Sequence, residues 1–339
     1  MLAVGVTPID LALVDLNSDG NLDIITANEG SGDISVLMGM GAGEFASEVR
    51  FPTMDSPRAL AIGRVDADDE LDLVTCHPSA GSLALHLGVG DGSFGEAIVI
   101  AMEGEPSDLA IRDLNNDEVA DLLATDHLGA LLGVRLGAGM TEFGEYMSTP
   151  VLDGPVALAT GDINGDLTID VLTADEYGNQ EAHNVSVLLN DGAGILTPQA
   201  SYIAGAIAAD IELADFDGDL VLDVAISSFA ANNITILHGV GDGTFTPLSA
   251  LPVGNAPLAL ELADLDGDLA IDVVSANEYS NDVSVLIGDG LGGFAEAKSF
   301  PTQPGPRSIK VGRIDADDAP DLVTAHPGAD VVTILLARK

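Results

Sequence analysis

Asp15, Asn17, Asp19 and Asp23 hold the first, third, fifth and ninth positions of one stretch, Asp15-Leu16-Asn17-Ser18-Asp19-Gly20-Asn21-Leu22-Asp23. In a tight loop this spacing turns several side-chain oxygens onto one point, as a hard cation such as Ca²⁺ requires. Gly20, at the sixth position, lets the backbone bend back through φ > 0. Asp- and Asn-rich turns also cap their own backbone and bind nothing, so a single loop decides little. The run that follows, Leu22-Asp23-Ile24-Ile25-Thr26, is β-branched and reads as a strand, so no EF-hand helix is expected.

Recurrence decides more. The frame returns with its first position at Arg64, Asp113, Asp162, Asp215, Asp264 and Arg313, at intervals of 49, 49, 49, 53, 49 and 49 residues. A fixed period of this length signifies a repeat architecture, and it overrides the two-domain prior that 339 residues would suggest.

The elements that carry each loop repeat with it. A Pro (Pro8, Pro57, Pro106, Pro155, Pro257, Pro306; Ala208 in the fifth repeat) precedes a short apolar run such as Leu11-Ala12-Leu13-Val14. After the loop comes a second run (Asp72-Leu73-Val74-Thr75), a polar connection and a third run (Val283-Ser284-Val285-Leu286-Ile287). A Gly-rich turn ending in Phe, such as Gly90-Asp91-Gly92-Ser93-Phe94, leads to a fourth run such as Glu48-Val49-Arg50-Phe51. Four short strands at this period predict a propeller blade. The expectation is an all-β, seven-bladed β-propeller with four-stranded antiparallel blades, one domain spanning 1–339. The seventh repeat stops after its third run, while Met1–Thr7 occupies the fourth-strand slot ahead of Pro8. The N-terminal strand is therefore expected to complete the last blade and close the ring. The four additional residues of the long interval fall near Gln180–His183, in a surface connection.

Composition narrows the partners. Eleven Lys and Arg against 55 Asp and Glu give a net charge of −44, which makes nucleic acid and anionic membranes poor partners. Five bound Ca²⁺ would still leave about −34, so the remainder reads as a solvated acidic surface. Cys76 is the only cysteine, so no intrachain disulfide forms. Its counterparts Ala27, Thr125, Ala174, Ser227, Ala276 and Ala325 mark a small-residue packing position. No run of 18 apolar residues is present, and no basic-then-apolar secretion signal opens the sequence. The chain reads as a mature product or a piece of something longer.

Together the Pro-led strand, the D-x-[DN]-x-D-x-x-x-D loop and the Gly-x-Gly-x-Phe turn resemble FG-GAP/VCBS repeats over essentially the whole chain. Those repeats build the seven-bladed propeller of integrin α chains, of many secreted bacterial proteins and of some fungal lectins. The resemblance implies Ca²⁺ in the loops between first and second strands, on one face of the disc, and ligands on the opposite face.

On that pattern the first loop offers Asp15, Asn17, Asp19 and Asp23, and the third Asp113, Asn115, Asp117 and Asp121, without a Gly. The fourth offers Asp162, Asn164, Asp166 and Asp170; the fifth Asp215, Asp217, Asp219 and Asp223; the sixth Asp264, Asp266, Asp268 and Asp272. In these last three, Leu167, Leu220 or Leu269 stands where the family usually has Gly. A Leu is strained at φ > 0, so a different loop geometry is expected there, eased by Gly165, Gly218 or Gly267. Four to five Ca²⁺ ions are expected. The second and seventh loops keep Asp66, Asp68, Asp72 and Asp315, Asp317, Asp321 but begin with Arg64 and Arg313. An Arg cannot ligate a cation, and its guanidinium forks onto carboxylates, so both loops read as metal-free.

Arg58 and Arg307 match each other, as do His77-Pro78 and His326-Pro327. A strand from Arg58 to Arg64 runs roughly 20 Å, which puts Arg58 on the face away from the acidic loops. These residues either form an anion-binding patch or reflect two similar repeats with Arg paired to local carboxylates; the second reading is favoured. No Ser/His/Asp, Cys/His or zinc-ligand spacing recurs, and no P-loop Lys follows the Gly-rich turns. Without Trp and with only four Tyr, sugar stacking has few platforms. The reading is a Ca²⁺-stabilised, non-catalytic interaction or adhesion module of an extracellular, cell-surface or periplasmic protein. A carbohydrate-binding propeller and a polysaccharide lyase are the alternatives. A protein or glycan partner is expected on the face opposite the loops, at Glu29, Glu176, Tyr177, His183, Glu278 and Tyr279, with Arg58 and Arg307 nearer the axis.

Overall fold

Each acidic loop reverses the chain between two apolar runs, and those runs pair. The computed structural model describes residues 1–178, 184–315, 317 and 319–337. It contains seven sheets, each of four strands in consecutive antiparallel order. Blade one is Pro8–Val14, Asp23–Asn28, Asp33–Leu37 and Val49–Pro52. The first strands of successive blades touch one another all the way round, blade seven against blade one included, so they line the axis of a closed disc.

Closure follows the expected route. Leu2–Ala3 is the fourth strand of the last sheet, with Leu2 opposite Val332 and Ala3 opposite Val331. Val4 joins Leu11, Ile24, Val323 and Val332 in one apolar cluster that spans blades seven and one. The insertion near Gln180–His183 lies outside the described residues; beside it, the second strand of blade four is extended to Asp170–Gly178.

The second strands are buried along their first six residues in every blade, because neighbouring blades cover both faces. This is why they lack the apolar–polar alternation of a half-exposed strand. Cys76 sits in such a strand, and burial pushes its thiol up to about 12, as a packing residue requires. One glycine position is dictated by close approach. A Cβ on Gly39 would meet the Leu22 carbonyl at 2.4 Å, and one on Gly88 the Leu71 carbonyl at 2.1 Å. That approach brings the end of the third strand against the acidic loop.

Candidate metal loops and the opposite face

The ninth-position Asp is built into the fold in all seven blades. Buried Asp23 accepts the Leu16 N–H at 2.9 Å on one oxygen and the Gly39 N–H at 2.7 Å on the other. Asp72 does the same with Val65 and Gly88, and Asp321 with Ile314 and Ala337, although their loops begin with Arg. Each ninth carboxylate therefore fastens its loop to the end of the third strand, whatever else it binds. Burial raises the pKa of Asp23, Asp121, Asp223 and Asp272, and pushes Asp170 up to about 6, against the opposing effect of those N–H bonds. Neighbouring loop carboxylates raise them further, a repulsion that a bound dication would reverse.

The first-position carboxylate sets the path of the loop. Asp15 accepts the N–H of Asp19 at 3.1 Å and of Gly20 at 2.8 Å. In the third to sixth loops the sixth-residue N–H makes the same bond: Glu118 to Asp113, Leu167 to Asp162, Leu220 to Asp215 and Leu269 to Asp264, at 2.8 to 3.0 Å. Aiming that N–H inward requires φ > 0. Gly20 has φ 87°, Glu118 66°, Leu167 69°, Leu220 70° and Leu269 75°. The fourth residue is left-handed as well, from Asn116 at 57° to Gly267 at 85°. The different geometry expected of the Leu loops is thus not found. All five loops take one path, and a charge-assisted bond to the leading Asp holds each Leu in it. The strain is ~1 kcal/mol per residue. The three Leu side chains are 84%, 92% and 88% exposed, so no packing compensates it. Leu220→Gly is therefore expected to raise stability slightly, by up to about 0.5 kcal/mol in urea unfolding with EDTA, strain relief exceeding the entropy cost of Gly. A loss of stability would contradict this account.

Arg reverses the arrangement. Arg64 Nε donates to the carbonyl oxygen of Asp69, the sixth residue, at 2.9 Å, and neither Ala67 nor Asp69 is left-handed. The charge at the first position selects which end of that backbone unit faces inward. The expected fork onto carboxylates is absent: among the described residues none lies within ion-pair distance of Arg64.

Two loops gather carboxylates closely enough to share an ion. One oxygen each from Asp215, Asp217 and Asp223 lies within 4.8 Å of the others, as do Asp264, Asp266 and Asp272. Two oxygens on one Ca²⁺, at about 2.4 Å each, can be no further apart than about 4.8 Å, so both sets fit that ion. In loops one, three and four the third residue is Asn, and its amide NH₂ donates to the fifth-position Asp at 3.0 Å. His238, missed in the sequence, reaches loop five: its Nδ1 is 3.0 Å from Asp223 Oδ1 and 3.3 Å from Asp217 Oδ2. The signal was positional, since the six counterparts are Met38, Leu87, Leu136, Leu189, Ile287 and Leu336.

On the opposite face, Arg58 and Arg307 line a cavity of about 360 Å³ at the axis, with Glu176, Glu278, Ile207 and Phe229. Neither guanidinium has an ion-pair or hydrogen-bond partner among the described residues, so the expected pairing to local carboxylates is not found. His77 and His326 stand apart from them, buried within the sheets and bonded through Nε2 to Thr75 and Thr324 at 2.8 Å, so no joint Arg/His patch exists. Tyr177 and Tyr279 are 65% and 66% exposed, packed against His127 and Phe229 with ring centroids 5.7 and 5.4 Å apart. Glu176 pairs with His127 at 3.1 Å. Glu29 is partly exposed at the corresponding corner of blade one, and His183 lies outside the described residues.

The cavity floor carries Asp10, Asp108 and Asp210. Each accepts the N–H of its own next residue and, across the seam, that of Leu60, Leu158 or Leu260 at 2.7 to 2.9 Å. Burial raises all three, Asp108 to about 7 and Asp210 to about 6. Deeper in the channel Lys310 bonds Glu261 at 2.7 Å. Burial opposes the Lys310 charge, but Glu261 and Glu212 outweigh it and raise its pKa.

A profile of the FG-GAP-like repeat matches residues 15–75, 162–226, 215–275 and 264–324, about two-thirds of the chain. No curated protein matches it. Among solved structures, BBS1N in complex with ARL6DN is similar at a TM-score of 0.70 and 14% identity, over 100% of this chain and 95% of that one. A lectin of Agrocybe aegerita that recognises non-reducing terminal N-acetylglucosamine aligns at 0.60 and 17%, covering 88% and 81%. The Pseudomonas aeruginosa periplasmic gluconolactonase PpgL aligns at 0.65 and 15%, covering 86% and 85%. At such identities the likeness is one of fold.

Proposed function

The chain belongs to the FG-GAP-like repeat family, and from that premise we propose that it is a calcium-binding, non-catalytic interaction module. Its partner, a protein or a glycan, docks on the face opposite the acidic loops. One observation carries this reading: in a chain of net charge −44, Arg58 and Arg307 line the axial cavity of that face, and neither is in an ion pair with another described residue. Two guanidiniums without an ion pair among the described residues are suited to a carboxylate or other anionic group of a ligand. Tyr177 and Tyr279 supply rigid amphipathic rims, a residue type enriched at interfaces. Extracellular placement fits the loops, since modules outside the cell bind Ca²⁺ at about 10⁻⁴–10⁻³ M.

A glycan is the second reading, favoured by those two exposed rings. A catalytic role finds less support: Cys76, His77, His86 and His326 are all sealed in the sheets. No helix is long and apolar enough to cross a membrane among the described residues.

The test is a screen of glycan and extracellular-protein arrays in millimolar Ca²⁺, followed by variants. Arg58→Ala with Arg307→Ala should weaken any ligand found by about tenfold or more, the loss of a charge-assisted contact. Tyr177→Ala and Tyr279→Ala should weaken it less. Binding that instead falls with Leu167→Gly and Leu269→Gly, the arginine variants being neutral, would place recognition on the loop face and sink this reading.

A further inference from the structure

Calcium takes oxygen ligands, and nothing in an all-oxygen loop calls for an imidazole. We propose that loop five is a site for a divalent transition-metal ion of the zinc class, with His238 as its nitrogen ligand. This rests on the reading that the acidic loops hold metal. His238 stands one residue before the end of the third strand, Asn233–Gly239, where the other six blades carry Met, Leu or Ile. In five of those blades the side chain packs against an apolar cluster; here it is polar and turned to the loop.

The geometry suits one ion. Ligand atoms of Asp217, Asp219 and His238 all lie within 4.8 Å of one another, and Asp217 also belongs to the set with Asp215 and Asp223. Metal–nitrogen and metal–oxygen bonds of about 2.1 Å put neighbouring ligand atoms roughly 3.0–3.4 Å apart. The His238 Nδ1 separations from Asp223 and Asp217, 3.0 and 3.3 Å, span that range. Imidazole nitrogen with carboxylate oxygen suits zinc-class ions. Without metal the same spacing accommodates a hydrogen bond from Nδ1–H to Asp223. With the ion on the Nδ1 lone pair, the neutral imidazole carries its single proton on Nε2 instead. Loop six is the internal comparison: it gathers the same three carboxylates but has Ile287 in place of the histidine.

Co²⁺, a spectroscopic stand-in for Zn²⁺, is titrated into tag-free protein held in millimolar Ca²⁺. One Co²⁺ per chain is expected, with visible absorption that Zn²⁺ abolishes. His238→Leu, which installs the residue of blades two, three, four and seven, should weaken Co²⁺ about tenfold to a hundredfold. Unchanged Co²⁺ affinity in that variant, or no Co²⁺ on the parent, would overturn the proposal. Should His238→Leu not fold, Asp219→Asn at an exposed position replaces it, with the same loss expected and the same meaning if affinity holds. Native mass spectrometry of the same samples counts Ca²⁺. Calcium bound without Co²⁺ defeats only this inference, whereas Co²⁺ bound with no calcium at the other loops defeats only the calcium reading.

Discussion

Asp72→Ala is expected to lower stability by about 2–6 kcal/mol, and equally in Ca²⁺ and in EDTA. The side chain is fully buried, and its two oxygens receive the Val65 N–H at 2.8 Å and the Gly88 N–H at 2.9 Å. Truncation leaves one buried and one half-buried backbone donor unmatched, each costing about 1–3 kcal/mol. It also opens a gap where the loop meets the third strand. Asp68, exposed in the same loop and bonded to the Glu70 N–H, is the comparison: Asp68→Ala should cost far less. Urea unfolding of both variants with and without Ca²⁺ decides the matter. A mild effect for Asp72→Ala, or one that follows calcium, would show that the ninth Asp acts chiefly as a ligand.

Calcium itself is expected to raise the thermal midpoint steeply. At about 10 mM free Ca²⁺ and a Kd near 10⁻⁴ M, each site adds about 2.7 kcal/mol by mass action, so four or five sites add roughly 11–14 kcal/mol. Chelation should leave a folded but weaker disc. In every loop the Asp and Asn side chains already bond backbone N–H groups, as Asp15 does with Asp19 and Gly20. Asp264→Ala should lower the calcium-dependent increment by one site's share. Calorimetry giving one midpoint in EDTA and in 10 mM Ca²⁺ would refute the calcium reading, and with it the assignment of Asp15, Asp113, Asp162, Asp215 and Asp264 as ligands.

Much of the architecture was legible because it repeats. A period of 49 residues, apolar runs of strand length and a fourth-strand segment at the opposite end of the chain were enough to specify seven blades and their closure. The loops were less legible, since one residue type serves two roles. Asp23 and Asp15 look alike in the sequence, yet the first is a buried staple and the second shapes an exposed turn. The clue was available: Asp72 and Asp321 persist where the leading Asp has become Arg. Leu220 at φ 70° could not be foreseen, because propensity argues against it and only the bond to Asp215 explains it. His238 was hidden for another reason. It lies 15 residues after Asp223 in sequence and meets it only because a hairpin folds the third strand back onto the loop.

The axial carboxylates raise a question of parity. Asp10, Asp108 and Asp210 stand in blades one, three and five, with Ala59, Ala157 and Ala259 at the same position in blades two, four and six. Each Asp reaches the first strand of the blade that follows it, so at this level the blades are latched in couples. Couples cannot tile an odd ring. Blade seven is the remainder, and at the same position it carries Ser308, whose hydroxyl donates to Asp10 at 3.0 Å. Asp10 thus belongs to two joints at once, one oxygen receiving Leu60 from the blade ahead and the other Ser308 from the blade behind. In a wheel of seven spokes, the mismatch between twofold latching and an odd count is absorbed by a single carboxylate.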